Sequence, residues 1–399
     1  MDKTDPQVTL ALRPRLEVSD IFRQFKPWLK VISKIGAKVV SNIVNCRTSV
    51  LGGHKLQCDS CGHEKYSYNS CNNRHCPKCQ FLAQVKWVEA RKGELLPVAY
   101  FHLVFTVAHE LNRLIWANKK ICYNILFQAM SETLREVGES RLNAQVGFTA
   151  VLHTWSQTLC EHAHIHAIVP GGGISFDGKK WISTSQNYFL PRKILATVFR
   201  AKFLNLLEKS YDKLQFPDEI GDLASPNQFK KLLIAAAKKD WVVYAKAPFA
   251  GPKQVLEYLG NYTHRIAISN SRIESITDTH VTFRYKDRTD GNKTKLLRLP
   301  GQEFVRRFLS HVLPDKFVRI RHFGFLGSRK KKKNLETARR LLNVKSCIEI
   351  IKGEDFNQLL LRVTGVNVMA CTCCPTGQLI AIETLLPHRE LQNLRRDTS

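Results

Sequence analysis

Two periods of apolar residues run along the chain. Between residues 15 and 45, Ile21, Phe22, Phe25, Trp28, Leu29, Ile32 and Ile35 recur at steps of three and four, which predicts helix. Residues 81–95 repeat that spacing, and Pro97 closes them. The texture changes at Val98. Residues 99–108 predict a strand, and residues 111–137 one or two helices. Residues 147–155 and 162–170 are strand candidates, the second ended by Gly171, Gly172 and Gly173. Helices are expected at 192–211 and 227–239, a strand at 241–247, and a helix at 252–262 with Pro252 near its start. Further strands fit 265–268 and 280–285. A basic run, Arg329 to Lys333, precedes a helical stretch, and Cys371, Cys373 and Cys374 follow near the end. This mixture is that of an α+β fold. It divides into a helical segment (1–45), a Cys/His-rich module (46–96), a core (97–290) and a helical, basic C-terminal region with a short cysteine cluster (291–399).

Charge narrows the possible partners. Lys plus Arg number 61 against 34 Asp plus Glu, a formal charge of +27. Such an excess repels itself unless a polyanion neutralises it, and nucleic acid is the commonest cellular polyanion. A solvated basic surface kept for solubility is the bland alternative. No apolar run reaches the length of a membrane span, so no membrane partner is expected. Residues 1–14 are polar and lack the apolar centre of a signal peptide, so a cytoplasmic location is expected. In a reducing compartment, clustered cysteines among the 12 present point to metal rather than disulfides.

Cys58-x-x-Cys61 and Cys76-x-x-Cys79 form two knuckles. Each turn brings two thiolates to one side, and two such turns can close a four-sulfur zinc site with no open position. Cys46, His54, Cys71 and His75 interleave with them. Either they hold a second zinc, or they are packing cysteines and surface histidines. The module would also carry Lys55, Arg74 and Lys78 toward DNA. Cys371, Cys373 and Cys374 have no obvious partner pair.

His162, His164 and His166 alternate along a strand candidate and so share a face. The outer two are about 13 Å apart at Cα, too far for one metal, so His164 and His166 make the better pair. If the two strand candidates form a hairpin with His153 opposite His164, a third imidazole joins them. Gln157 and Glu161 are less favoured third ligands. Three neutral nitrogens leave positions open for water and a substrate oxygen. Tyr258 and Tyr262 lie one helical turn apart, next to His264 and Arg265. Tyrosine pairs on amphipathic helices are usually core residues. The histidine cluster is what favours reading these two as nucleophiles toward phosphorus.

HAHIHAIVPGGG (162–173), preceded by VLHTWSQTL (151–159), resembles the HUH motif of rolling-circle nucleases. YLGNYTHRIAISN (258–270), CDSCGHEKYSYNSCNNRHCPKCQ (58–80) and RIRHFGFLGSR (319–329) are similar to segments of the two-tyrosine transposases of IS91-type insertion sequences. The resemblance spans roughly residues 20–380. It implies a central antiparallel sheet with flanking helices, preceded by a small zinc-binding module. It also implies His164 and His166 as ligands of magnesium or manganese, and Tyr258 and Tyr262 as nucleophiles. The partners would be single-stranded or hairpin DNA at the element's ends and a target DNA, in a bacterial nucleoid. The expected chemistry is nicking and joining through a 5′-phosphotyrosine, in rolling-circle transposition. Lys253 and Arg265 would add positive charge at the phosphate. Arg329, Lys330, Lys331, Lys332 and Lys333 would either track the backbone or form a solvated loop. A replication initiator or relaxase with the same chemistry, a non-catalytic zinc regulator and a phosphodiesterase without a covalent step are the rivals.

Overall fold

The computed structural model describes residues 16–26, 33–185, 190–246, 254–255, 260, 266–344 and 354–388. In chain order its elements are α1 (Val18–Gln24), α2 (Lys34–Asn45), β1 (Gly53–Cys58), β2 (Glu64–Tyr68), α3 (Pro77–Lys92), β3 (Tyr100–Thr106), α4 (Asn112–Ala117) and α5 (Lys119–Leu142). There follow β4 (Ala144–Trp155), β5 (Glu161–Pro170), β6 (Gly172–Ser175), β7 (Trp181–Ser183), α6 (Arg192–Glu208), α7 (Pro226–Ala237) and β8 (Val243–Lys246). The last are β9 (Ile273–Ile276), β10 (His280–Asp287), β11 (Lys293–Pro300), α8 (Gly301–Ser310), β12 (Ile320–Gly324), α9 (Lys331–Leu341), α10 (Phe356–Thr364) and β13 (Leu379–Leu385).

Contacts group the chain into two units. One comprises Met1–Val85, Ile268–Arg306 and Ile351–Ser399, the other Lys86–Ala267 and Arg307–Ile350. This differs from four consecutive segments, because strands distant in sequence pair with one another.

The unit containing the histidines is built on a seven-stranded antiparallel sheet, ordered β7-β6-β4-β5-β3-β8, with β12 also on β4. Phe101, Leu103, Phe105, Phe148, Ala150, Leu152, Ile165, Ala167 and Val169 project from one face into a closed core. Against that core lie α5 and α6. On α5, Cys122, Ile125, Leu126, Ala129, Met130, Thr133, Leu134 and Val137 recur at steps of three and one, a continuous buried stripe, apolar except for Thr133, whose hydroxyl donates to the Ala129 carbonyl. The helix stops at Asn143, whose left-handed φ of 50° ends the hydrogen-bond ladder. Phe199 of α6 meets Phe105 edge-on at 5.1 Å and Trp241 at 5.3 Å. The main core packs against one face of the sheet; the other face carries a smaller cluster of Leu95, Tyr100, Ile168 and Val255 and the histidines.

Most expected elements are present within a few residues. Three differences are instructive. Strand β5 ends at Pro170, as the glycines imply, but Gly172 and Gly173 then open β6, and a Cβ on Gly173 would stand 2.5 Å from the Gln145 carbonyl oxygen. Glycine here allows a close strand approach instead of a turn. No strand occurs at 266–268. The helix expected at 252–262 falls largely outside the described residues.

The other unit holds two three-stranded sheets, β13-β1-β2 and β11-β10-β9. In the first, β1 pairs with both β2 and β13, the last strand among the described residues, from Gly53↔Leu385 to Cys58↔Leu379. Helix α2 is capped by Ser33, whose hydroxyl accepts from Gly36 N–H.

One histidine makes the first unit pH-sensitive. His322 of β12 sits 2.9 Å from Thr149 Oγ1. Burial, then the charges of Lys331 and Arg91, push it down from 6.5 to about 4. The unfolded chain takes up this proton near pH 6.5, which the folded chain refuses until about pH 4. The stabilisation is therefore full above pH 6.5 and is lost as pH falls from there to 4. Allowing for partial exposure, roughly 2 kcal/mol is at stake. Chemical denaturation across that window should show this loss in the native chain and not in His322→Gln. Parallel slopes would contradict the assignment.

Candidate active site and metal centres

On the face away from the core, β4 and β5 pair with His153 directly opposite His164. His166 lies two residues along β5, and Ile165 between them turns into the core with no exposure. Ring centroids are 5.5 Å apart for His153 and His164, 4.5 Å for His153 and His166, and 4.9 Å for His164 and His166. One nitrogen of each ring lies within 4.8 Å of the others. Strand alternation and antiparallel register together produce this convergence.

Hydrogen bonds set the ring orientations. His164 Nδ1 lies 2.7 Å from the His162 carbonyl oxygen, which can only accept. The proton therefore resides on Nδ1, and Nε2 is the basic nitrogen available to a cation. His166 Nδ1 lies 2.8 Å from Nε2 of His102, a buried residue of β3. With His166 presenting Nε2 to a metal, its Nδ1–H donates to His102 Nε2, which fills the place of the outer acceptor that orients a ligating imidazole. His153 stacks on Trp155 at 4.9 Å. His162 is exposed and stands outside the group of three, as does Glu161.

Sequence reading missed two residues on this face. His102 is placed by the β3–β5 pairing, and no local pattern marks it. Tyr244 lies on β8 opposite Val104, which itself lies opposite His166. It is therefore in the same row of the sheet as His166, two strands away, or roughly 10 Å. It is 50% exposed. Tyr258, Tyr262, Lys253 and Arg265 lie outside the described residues.

The cysteines assemble differently from the expectation of one site made by both knuckles. Cys76 and Cys79 join Cys46 and Cys71, whereas Cys58 and Cys61 join Cys371 and Cys374. The reason is topological. Cys58 ends β1 and faces its neighbour β13, while Cys76 and Cys79 begin α3 beside the end of α2. Within the first group, Cys46 Sγ is 3.5 Å and Cys71 Sγ 3.6 Å from Cys79 Sγ. A tetrahedron of zinc–sulfur bonds of about 2.3 Å has edges of about 3.8 Å, whereas a disulfide needs about 2.05 Å. The spacing fits zinc and excludes cross-linking. Hydrogen bonding, first from Cys71, pulls the Cys46 thiol down from its ordinary value, the direction that favours a thiolate. His54, exposed on β1, and His75 are not donors of either group.

The basic residues are unequal. Lys55 pairs with Glu64 and Lys78 with Glu17, both at 2.8 Å. Arg329, Lys330, Lys332 and Lys333 are exposed around the start of α9, but Lys331 turns inward onto Glu94. Positive charges at a helix N-terminus oppose its dipole. The first turn of α9 holds no acidic residue to offset them, so helix stability does not account for the cluster.

Among the described residues, no helix is long and apolar enough to cross a membrane. Comparison with known proteins supplies the remaining context. The family described as "Putative transposase" matches residues 147–334, and that described as "Transposase zinc-binding domain" matches residues 18–107. A Sinorhizobium fredii protein named "Putative transposase y4qJ" is 44% identical over 377 residues, which cover 92% of this chain and 95% of the relative. The "Transposase for insertion sequence element IS801" of Pseudomonas savastanoi pv. phaseolicola is 27% identical over 332 residues, covering 81% of this chain and 79% of that protein. No solved structure matches the chain. The first matched segment contains all three clustered histidines, and the second contains the group Cys46, Cys71, Cys76 and Cys79. The chain belongs to the IS91-type transposases that carry an N-terminal zinc-binding domain.

Proposed function

We propose that this transposase nicks and joins single-stranded DNA at its element's ends through a 5′-phosphotyrosine. The observation that carries the reading is the convergence of His153, His164 and His166 on the sheet face opposite the α5–α6 core. Three imidazole nitrogens are the ligands, and they fit manganese better than magnesium, which prefers oxygen. A divalent ion there would polarise the scissile phosphate and offset charge developing on it. His102 keeps His166 in the ligating tautomer and orientation.

The phenol oxygen of Tyr258 or Tyr262 attacks phosphorus as it loses its proton. The bond from phosphorus to the 3′-oxygen breaks, and that oxygen leaves as a hydroxyl after gaining a proton. The phosphodiester energy is held in the tyrosyl phosphate. A free 3′-hydroxyl can prime replication, and the second tyrosine takes the second cut strand. Two nucleophiles four residues apart in sequence would act at high effective concentration. Lys253, Arg265, Arg329, Lys330, Lys332 and Lys333 neutralise backbone phosphates, so affinity should fall steeply with salt. Zinc on Cys46, Cys71, Cys76 and Cys79 has a structural role, since four thiolates leave no open position.

Strand-end labelling tests this directly. Oligonucleotides copying an element end are incubated with the protein and Mn²⁺. The reading expects label 3′ of the nick to migrate with protein, and label 5′ of it to be released. Adducts carrying the 5′ label, or clean hydrolysis without adduct, would reject it.

A further inference from the structure

We propose that Cys58, Cys61, Cys371 and Cys374 form a second structural zinc site, which fastens the end of the chain to the zinc-binding module. Cys371 and Cys374 lie beyond both segments matched by the families, and the inference does not depend on the nuclease reading.

The thiols come from opposite ends of the sequence. Cys61 Sγ and Cys371 Sγ are 310 residues apart yet separated by 3.7 Å, and Cys58 Sγ lies 3.6 Å from Cys374 Sγ. Both distances match the edge of a zinc–sulfur tetrahedron, about 3.8 Å, and neither permits a disulfide. All four sulfurs lie within 4.8 Å of one another. Each pair sits in a turn whose backbone N–H is aimed at sulfur. Cys61 N–H donates to Cys58 Sγ at 3.4 Å, and Cys373 N–H donates to Cys371 Sγ at 3.3 Å. Such bonds favour the thiolate that a metal requires.

The surroundings are shaped for this group. A Cβ on Gly377 would lie 2.2 Å from Cys58 Sγ and 2.7 Å from Cys374 Sγ, so only glycine leaves room for the sulfurs. Asp59 clamps the two turns. Its N–H donates to the Gln378 carbonyl at 3.0 Å, and its Oδ1 accepts from Gln378 N–H at 2.8 Å. Core packing does not explain the cluster, since Cys61 is exposed and Cys371 and Cys374 are half-buried. Cys373 lies between these two in sequence, is exposed, and stands outside the group. The β1–β13 ladder runs directly into the site through Cys58↔Leu379. Zinc there would lock that ladder and close a loop of most of the chain.

Cys373 provides an internal control in the unmodified protein. Full-length protein purified with zinc is alkylated under native conditions, before and after chelation, and each cysteine is followed by peptide mass spectrometry. Cys58, Cys61, Cys371 and Cys374 are expected to react at least about tenfold more slowly with zinc bound than without it, while Cys373 reacts quickly in both states. Since Cys61 is exposed, burial alone cannot produce that protection. A second arm counts zinc. Cys371→Ser with Cys374→Ser, and Cys58→Ser with Cys61→Ser, should each lose one zinc per chain, and combining them should lose no more. Alkylation of Cys371 and Cys374 as fast as Cys373 in the zinc-loaded protein would overturn the proposal. So would an unchanged zinc content in the first variant.

Discussion

His164→Ala is expected to slow nicking of single-stranded DNA about a thousandfold and leave folding nearly intact. The two effects separate because of where the ring sits. It is half-buried on the face away from the α5–α6 core, and its Nδ1–H donates to the His162 carbonyl of its own strand. Removing it costs little packing, but it takes away one of three converging nitrogens. His102 offers the contrast. It is not a ligand, so His102→Phe should lose only about ten- to a hundredfold, the usual size of an outer-partner effect on metal affinity or activity. Raised Mn²⁺ should restore much of that loss, and it should not rescue His164→Ala. A merely structural role for His102 predicts no rescue. Adduct formation against Mn²⁺ concentration, alongside thermal melts, distinguishes these outcomes. Full nicking by His164→Ala would remove the histidines from the mechanism.

The second large effect concerns the buried thiol group. Cys76 is fully buried and shares its sulfur cluster with Cys46, Cys71 and Cys79. Structural zinc contributes on the order of 10–16 kcal/mol in small zinc modules. Domains are net stable by only about 5–15 kcal/mol. Cys76→Ala should therefore abolish the module's own folding, not merely weaken it. Expected results are loss of one zinc per chain and of slow amide exchange at the end of α2 and the start of α3. Retention of both would show that the four sulfurs are ordinary packing.

The histidine hairpin was legible because it obeys local rules. Period-two alternation puts His164 and His166 on one face, and a short connection sets His153 against His164. The helices of the core were legible for the same reason, their apolar stripes being continuous. What escaped reading depends on pairing between distant segments. His102 reaches His166 through β3, which is separated from β5 in sequence by two α-helices and β4. The knuckles were visible, but spacing tells which thiols share a turn and not which turn faces which. Cys58 and Cys61 find their partners through β13, a strand whose outer positions are mostly exposed and whose sequence carries little alternation. The basic run was also read as uniform, and only the fold shows Lys331 committed to Glu94.

The account rests on tyrosines working with that histidine face. The most direct test is to trap the Mn²⁺-dependent product on a single-stranded element end, digest the protein, and locate the nucleotide-bearing peptide. The attached residue is expected to be Tyr258 or Tyr262, with the adduct absent from the double Tyr→Phe variant and from His164→Ala. Cleavage without any adduct, or DNA attached to another residue such as Tyr244, would contradict it.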